Sequence, residues 1–311
     1  MTTTNAHLLK DPDAPGVVLD DLLLQSWEIA LRAERKSERT IVIYLTQARL
    51  FMDYCASLNS PARFDRRSVA AFLAAENARG MAGNTVKTRF RGLHRLAVWL
   101  ADEGETSGNV MNGLAQPNVE VDPPPVLTDE QLKALLKACE GTRYYDRRDM
   151  AILRLLIDTG ARASEIANLT LSDVNLKTSE ISVVGKGSRL RVVPFGAQTA
   201  RALDRYLRER RQHRHAAHSE RLWIGERGPM TYDGIADALE VRAEAAGIDG
   251  FHMHLLRHTL AHRWLAAGGS ELGLMDVAGW RSREMVARYG AAQRAARAQA
   301  EHRRLSLGDD L

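Results

Sequence analysis

Ten residues near the middle of the chain, Gln116 to Pro125, include four prolines. Proline has a fixed φ and no backbone N–H, so such a run can neither continue a helix nor enter the middle of a sheet. It therefore breaks the 311-residue chain into two folding units joined by a semi-rigid, extended spacer. The pattern predicts a first unit over 21–115, a Pro-rich linker over 116–126 and a second unit over 127–295. Residues 1–20, with Asp-Pro-Asp-Ala-Pro-Gly at 11–16, are expected to be a disordered tail, and 296–311 to be a second tail.

Within the first unit the apolar residues recur at helical spacing. One helix starts at Leu22. A second, capped by Ser37, carries Ile41, Tyr44, Leu45, Ala48, Leu50 and Phe51. A third opens at Arg67-Ser68 with Val69, Phe72 and Leu73, and a fourth opens at Asn84-Thr85 with Val86, Phe90, Leu93, Leu96, Ala97 and Leu100. The second unit begins on a capping box, Thr128-Asp129-Glu130-Gln131, and a further helix is expected over 149–159. Glu180 to Phe195 reads as a hairpin turning at Gly185-Lys186-Gly187-Ser188, and the remainder is helical near 197–211, 231–246, 253–267, 271–279 and 282–303. The expected fold is mainly α: a helical unit, then a mixed α/β unit that is mostly helical with a small antiparallel sheet.

Charge adds a weak hint. The net charge is +4 and the isoelectric point about 9.2. Between Asn77 and Ala101, however, stand Arg79, Lys87, Arg89, Arg91 and Arg95 with no acid among them. A one-sign stretch of this kind suits an anionic partner such as nucleic acid, although a solvated basic face accounts for it equally well. The two cysteines, Cys55 and Cys139, lie in apolar periodic stretches without metal-ligand spacing, as buried reduced thiols do. No run approaches the ~18 apolar residues of a membrane span, and no signal peptide is visible at the N-terminus.

Six residues of the second unit could carry chemistry: Arg162, Lys186, His254, Arg257, Trp280 and Tyr289. Singly, each has an ordinary explanation, whether a surface ion pair, a solvated hairpin tip or core packing. Together they are cations and N–H donors plus one nucleophile. A phosphodiester undergoing transfer spreads negative charge over its non-bridging oxygens, and fixed donors can meet that charge without a metal. Tyrosine can attack phosphorus once its proton is removed or its charge stabilised, and lysine can protonate a leaving oxygen.

The order of these residues resembles the tyrosine recombinase (phage integrase) family. Thr159-Gly160-Ala161-Arg162-Ala163-Ser164-Glu165-Ile166 is similar to its first arginine box, and Val184-Gly185-Lys186-Gly187 to its β-hairpin lysine. His254-Leu255-Leu256-Arg257-His258-Thr259 resembles its His-x-x-Arg-His box, and Ala278-Gly279-Trp280 with Tyr289 nine residues later resembles its last box and nucleophile. Most members have histidine where this chain has Trp280, and Cre-like members have tryptophan. The indole donates one hydrogen bond but cannot shuttle a proton, so the implied role is donor and packing.

The resemblance implies a core-type DNA-binding domain followed by a catalytic domain, clamped around double-stranded DNA. Tyr289 would form a 3′-phosphotyrosine, with Arg162, His254, Arg257 and Trp280 stabilising charge and Lys186 protonating the 5′ oxygen. Glu165 and His258 would support these groups, and Arg79, Lys87, Arg89, Arg91 and Arg95 would meet DNA. No metal or other cofactor is implied. The working form would be a homotetramer on two duplexes in the cytoplasm, with 296–311 docking on a neighbouring subunit. A type IB topoisomerase-like relaxase and a non-catalytic DNA-binding relative are the alternatives.

Overall fold

The computed structural model describes residues 16–118, 124–185, 189–287, 289, 299 and 302–304. Lys186 lies outside the described residues, as do most of the expected 282–303 helix and most of the 296–311 tail. The chain forms two compact units, 1–120 and 121–311.

Among its described residues the first unit holds four helices: α1 (Asp21–Ala33), α2 (Glu38–Ser57), α3 (Arg66–Ala78) and α4 (Gly83–Asp102). Asp20, Ser37 and Asp65 each accept a hydrogen bond from an otherwise unpaired N–H in the first turn of α1, α2 and α3. The third helix thus opens earlier than Arg67, because Asp65 is a better cap than Arg67. Trp27, Phe51, Phe64, Leu93, Leu96 and Leu100 are buried at the centre of this unit.

The expected disordered tail needs correcting at its C-terminal end. Strand β1 (Val17–Val18) pairs antiparallel with β2 (Arg63–Phe64), and Leu19 is buried with its N–H bonded to Ala62 O at 2.9 Å. Leu19 supplies apolar burial and Asp20 the cap of α1, so order begins before residue 21.

The second unit starts with α5 (Asp129–Ala138), whose Thr128–Gln131 capping box forms in both directions. Next come α6 (Tyr144–Thr159), α7 (Ala163–Ala167) and a three-stranded antiparallel sheet of β3 (Val174–Asn175), β4 (Glu180–Gly185) and β5 (Arg189–Pro194). Helix α6 starts five residues before the expected Asp149. Its buried polar first turns, with Arg148 bonded to Asp149 and Arg242 to both Asp146 and Asp149, conceal the apolar period there.

Helix α8 (Ala197–Arg210), strands β6 (Ile224–Gly225) and β7 (Gly228–Pro229), and helices α9 (Tyr232–Ala245), α10 (Met253–Ala266) and α11 (Glu271–Ala278) follow, with short 3-10 turns at Leu171–Asp173 and Ala216–His218. The main core gathers α5, α6, α8, α9 and the inner sheet face, while a smaller cluster joins α10 and α11 to Trp280, Val286 and Tyr289. Both cysteines are free and buried, and burial pushes the Cys139 thiol up to about 12. Among the described residues no helix is long and apolar enough to cross a membrane.

Candidate active site

The register of the β4–β5 hairpin positions one wall of the site. Ile181 pairs with Val193 and Val183 with Arg191, so these four residues share a face. Val183 and Val193 are buried on it, while Val184, Leu190 and Val192 on the other face are exposed. Arg191 therefore turns inward and grips Glu165 with two bonds, Nη1 to Oε1 at 2.8 Å and Nη2 to Oε2 at 2.7 Å.

Glu165 also anchors Arg162. It accepts from the Arg162 backbone N–H at 2.8 Å and from Arg162 Nη1 at 2.8 Å, which fixes the arginine at the start of α7. Burial works to raise the Glu165 carboxyl, but the hydrogen bonds from Arg191 and Arg162 outweigh it and hold the pKa below the ordinary 4.5. Glu165 is a carboxylate at neutral pH, and it offsets part of the charge of the arginines around it.

Arg257, on α10, is 3% exposed. It donates to Gly160 O, at the left-handed end of α6, and to Ala278 O, at the end of α11, both at 2.6 Å. Burial, then the charge of Arg162, lowers its pKa to about 10, which still leaves it a cation at pH 7. Glycine suits position 160 because its φ is +55°, a conformation that other residues rarely adopt.

Trp280 lies against this cation, with Arg257 Cζ 5.1 Å from the ring centroid, and it stacks on Tyr289 at 5.3 Å and 8° between planes. The Tyr289 hydroxyl is hydrogen-bonded to His258 Nδ1. His258 meets His254 edge to face at 4.5 Å. His254 keeps an exposed edge. Lost hydration, and then the charges of Arg257, His252 and Arg162, holds it below the ordinary 6.5, so it is neutral at pH 7.

Five of the six motif residues, Arg162, His254, Arg257, Trp280 and Tyr289, are thus linked contact by contact, while Lys186 is outside the described residues. A cleft of about 570 Å³ beside them is lined by Arg162, Gly185, Arg189, Arg191, Gly279 and Trp280. Two features differ from the sequence reading. His258, expected to support the site, touches the Tyr289 hydroxyl itself. Arg191 was not singled out, yet it joins the same cluster.

The basic residues of the first unit divide. Arg89 is turned inward to Glu76, Arg79 pairs with Glu76 and Arg95 with Glu34. The one-sign stretch therefore borrows its acids from outside 77–101. Lys87 and Arg91 have no ion pair among the described residues, and Arg91 is exposed.

Comparison with known proteins agrees with this arrangement. The phage integrase family profile matches residues 125–295, and the profile for the phage integrase N-terminal SAM-like domain matches 24–104. Tyrosine recombinase XerC of Staphylococcus haemolyticus is 30% identical over 226 residues, 72% of this chain and 75% of that protein. Its counterpart in Corynebacterium efficiens is 30% identical over 261 residues, 82% of this chain and 81% of that protein. In fold the chain is similar to XerH site-specific recombinase bound to palindromic difH substrate in a post-cleavage complex. That match has a TM-score of 0.70 and 19% identity, covering 90% of this chain and 84% of the other. It is also similar to a lambda integrase dimer bound to a COC′ core site, with TM-score 0.68, 17% identity and coverage of 88% and 77%. With the family's profile spanning more than half of the residues and the arginine, histidine and tyrosine motifs meeting in one cluster, the chain belongs to the phage integrase family of tyrosine recombinases.

Proposed function

We propose that this enzyme cuts and rejoins double-stranded DNA at a specific core site through Tyr289, working as a homotetramer on two duplexes in the cytoplasm. The carrying observation is that the Tyr289 hydroxyl, bonded to His258 and stacked on Trp280, stands at the edge of an arginine cluster. Arg162 and Arg257 each use two of their five N–H donors' directions on protein partners. Among the described residues no other side-chain bond is made by these two guanidiniums, and in this reading their remaining donors meet the non-bridging oxygens of a phosphodiester.

In the proposed step the Tyr289 oxygen forms a bond to phosphorus as the bond to the 5′ oxygen breaks. His258 takes the tyrosine proton and Lys186 gives one to the departing 5′ oxygen. The products are a 3′-phosphotyrosine and a 5′ hydroxyl, and rejoining is the reverse. Arg162, Arg257, neutral His254 and the Trp280 N–H stabilise the charge that develops between them. Because the phosphotyrosine keeps the bond energy, no ATP is consumed.

The test uses a duplex carrying the core site that this protein selects from a random-sequence pool, nicked beside the scissile phosphate so that cleavage is trapped. Wild type should accumulate a covalent protein–DNA adduct, and Tyr289→Phe should bind the same duplex but form none. An adduct at the wild-type level in Tyr289→Phe would remove Tyr289 as nucleophile.

A further inference from the structure

A helix leaves its last four carbonyls without intrahelical partners. At the end of α11 a left-handed turn at Gly279, φ +65°, takes care of two of them: Trp280 N–H bonds Met275 O at 2.9 Å and Gly279 N–H bonds Asp276 O at 3.2 Å. The next three carbonyls are taken one each by three arginines from three other elements. Arg191 Nε donates to Val277 O at 3.2 Å, Arg257 to Ala278 O at 2.6 Å and Arg162 to Gly279 O at 3.0 Å. Cations there also suit the negative end of the helix dipole.

Arg162 and Arg257 belong to the recombinase motifs, whereas Arg191 does not. We infer that Arg191 is a positioning residue: it locks the end of α11 to Glu165 and so fixes where Trp280 and Tyr289 stand relative to Arg162. This rests on the reading of Tyr289 as nucleophile. The geometry assigns Arg191 to holding rather than to DNA contact. Its side chain is only 15% exposed, and Nε, Nη1 and Nη2 are each committed to Val277 or Glu165. Its guanidinium lies so close to Gly279 that a Cβ at that position would stand 3.1 Å from Cζ. One planar fork thus reaches the carboxylate, the helix end and the turn that leads into Trp280. Lysine, with a single point of donation, cannot span them.

Arg191→Lys and Arg191→Met test this with three measurements. Backbone hydrogen exchange of residues 277–287, without DNA, should quicken at least tenfold in both variants. The single-turnover cleavage rate at saturating nicked duplex should fall about 100-fold, while the DNA concentration for half-saturation stays within threefold. That split separates misplacement of the nucleophile from loss of DNA binding. Should Arg191→Met fail to fold, Arg191→Met combined with Glu165→Gln removes the charge of a buried carboxylate that has lost one of its two arginines and keeps only Arg162, and the same exchange increase is expected. Wild-type exchange over 277–287, or cleavage within threefold of wild type, would overturn the inference. If wild type itself forms no adduct, the nucleophile reading fails, and the exchange measurement still decides whether Arg191 holds α11.

Discussion

Replacing Trp280 separates its packing from the donation proposed for its N–H. The residue is 7% exposed, and its ring takes the Arg257 cation on its π system and stacks on Tyr289. Phenylalanine keeps a flat ring for both contacts and removes only the N–H and part of the volume, a stability cost below about 2 kcal/mol. A hydrogen bond to a charged oxygen contributes about 1.5–3 kcal/mol, so losing it in the transition state slows cleavage by about 10- to 160-fold. Alanine removes the packing as well. A buried Trp→Ala change costs about 3–5 kcal/mol, and at about 2–4 °C per kcal/mol for a unit of 150–250 residues the catalytic unit should melt about 6–20 °C lower. The assays are thermal unfolding and single-turnover cleavage of the nicked duplex at saturating DNA. Trp280→Phe should unfold near wild type yet cleave slowly, and Trp280→His, which retains a donor on a smaller ring, should keep part of the activity. Wild-type cleavage by Trp280→Phe would show that the indole N–H donates to nothing in the reaction. An unchanged melting temperature in Trp280→Ala would show that the stack supports nothing.

Other outcomes follow from the same geometry. Lys87→Ala and Arg91→Ala should each weaken DNA binding and reduce the slope of log K against log salt by about 1, as for one lost phosphate contact. Arg89→Ala should instead destabilise the first unit by about 1–3 kcal/mol, because buried Glu76 loses a partner; equal salt slopes for all three variants would contradict this division. Cleavage should persist in excess chelator, and loss with rescue by magnesium would mean that a metal supplies what is assigned here to the arginines. Acid should destabilise the catalytic unit in two windows. His254 has a lowered folded pKa, so the unfolded chain binds the proton first and stability falls as pH drops below about 6.5. Glu165 also has a lowered pKa; its contribution is present above about 4.5 and is lost as pH falls through its folded value. Melting curves against pH should lose the first window in His254→Asn and the second in Glu165→Gln, and unaltered curves would count against both assignments.

The capped helices and the motif order were legible because each rests on neighbours in sequence. Ser37 and Thr128 announce helices by local hydrogen bonds, and the apolar period of α4 needs no distant partner. Ion pairing was not legible in the same way. Arg89 and Arg95 looked available for an anion because the acids that claim them, Glu76 and Glu34, come from α3 and from the end of α1.

Arg191 was hidden for a sharper reason. In β5 the alternation Arg189, Leu190, Arg191, Val192 suggests apolar residues inward and arginines outward. The pairing of Val193 with Ile181 sets the opposite register, leaving Leu190 66% and Val192 54% exposed and turning Arg191 toward the interior. A strand with that inversion needs something else to hold it. A buried arginine is tolerable only with its charge paired and its donors engaged. Glu165 provides the charge, but it must also serve Arg162, and the remaining donor needs a carbonyl that no regular element has already used. The C-terminal end of a short helix is where such carbonyls exist, and α11 ends at Ala278, one residue of turn before Trp280. The inverted strand and the terminated helix each leave a defect that would be costly alone. Arg191 satisfies both, and in doing so it connects the hairpin that carries Lys186 in sequence to the segment that leads to Tyr289.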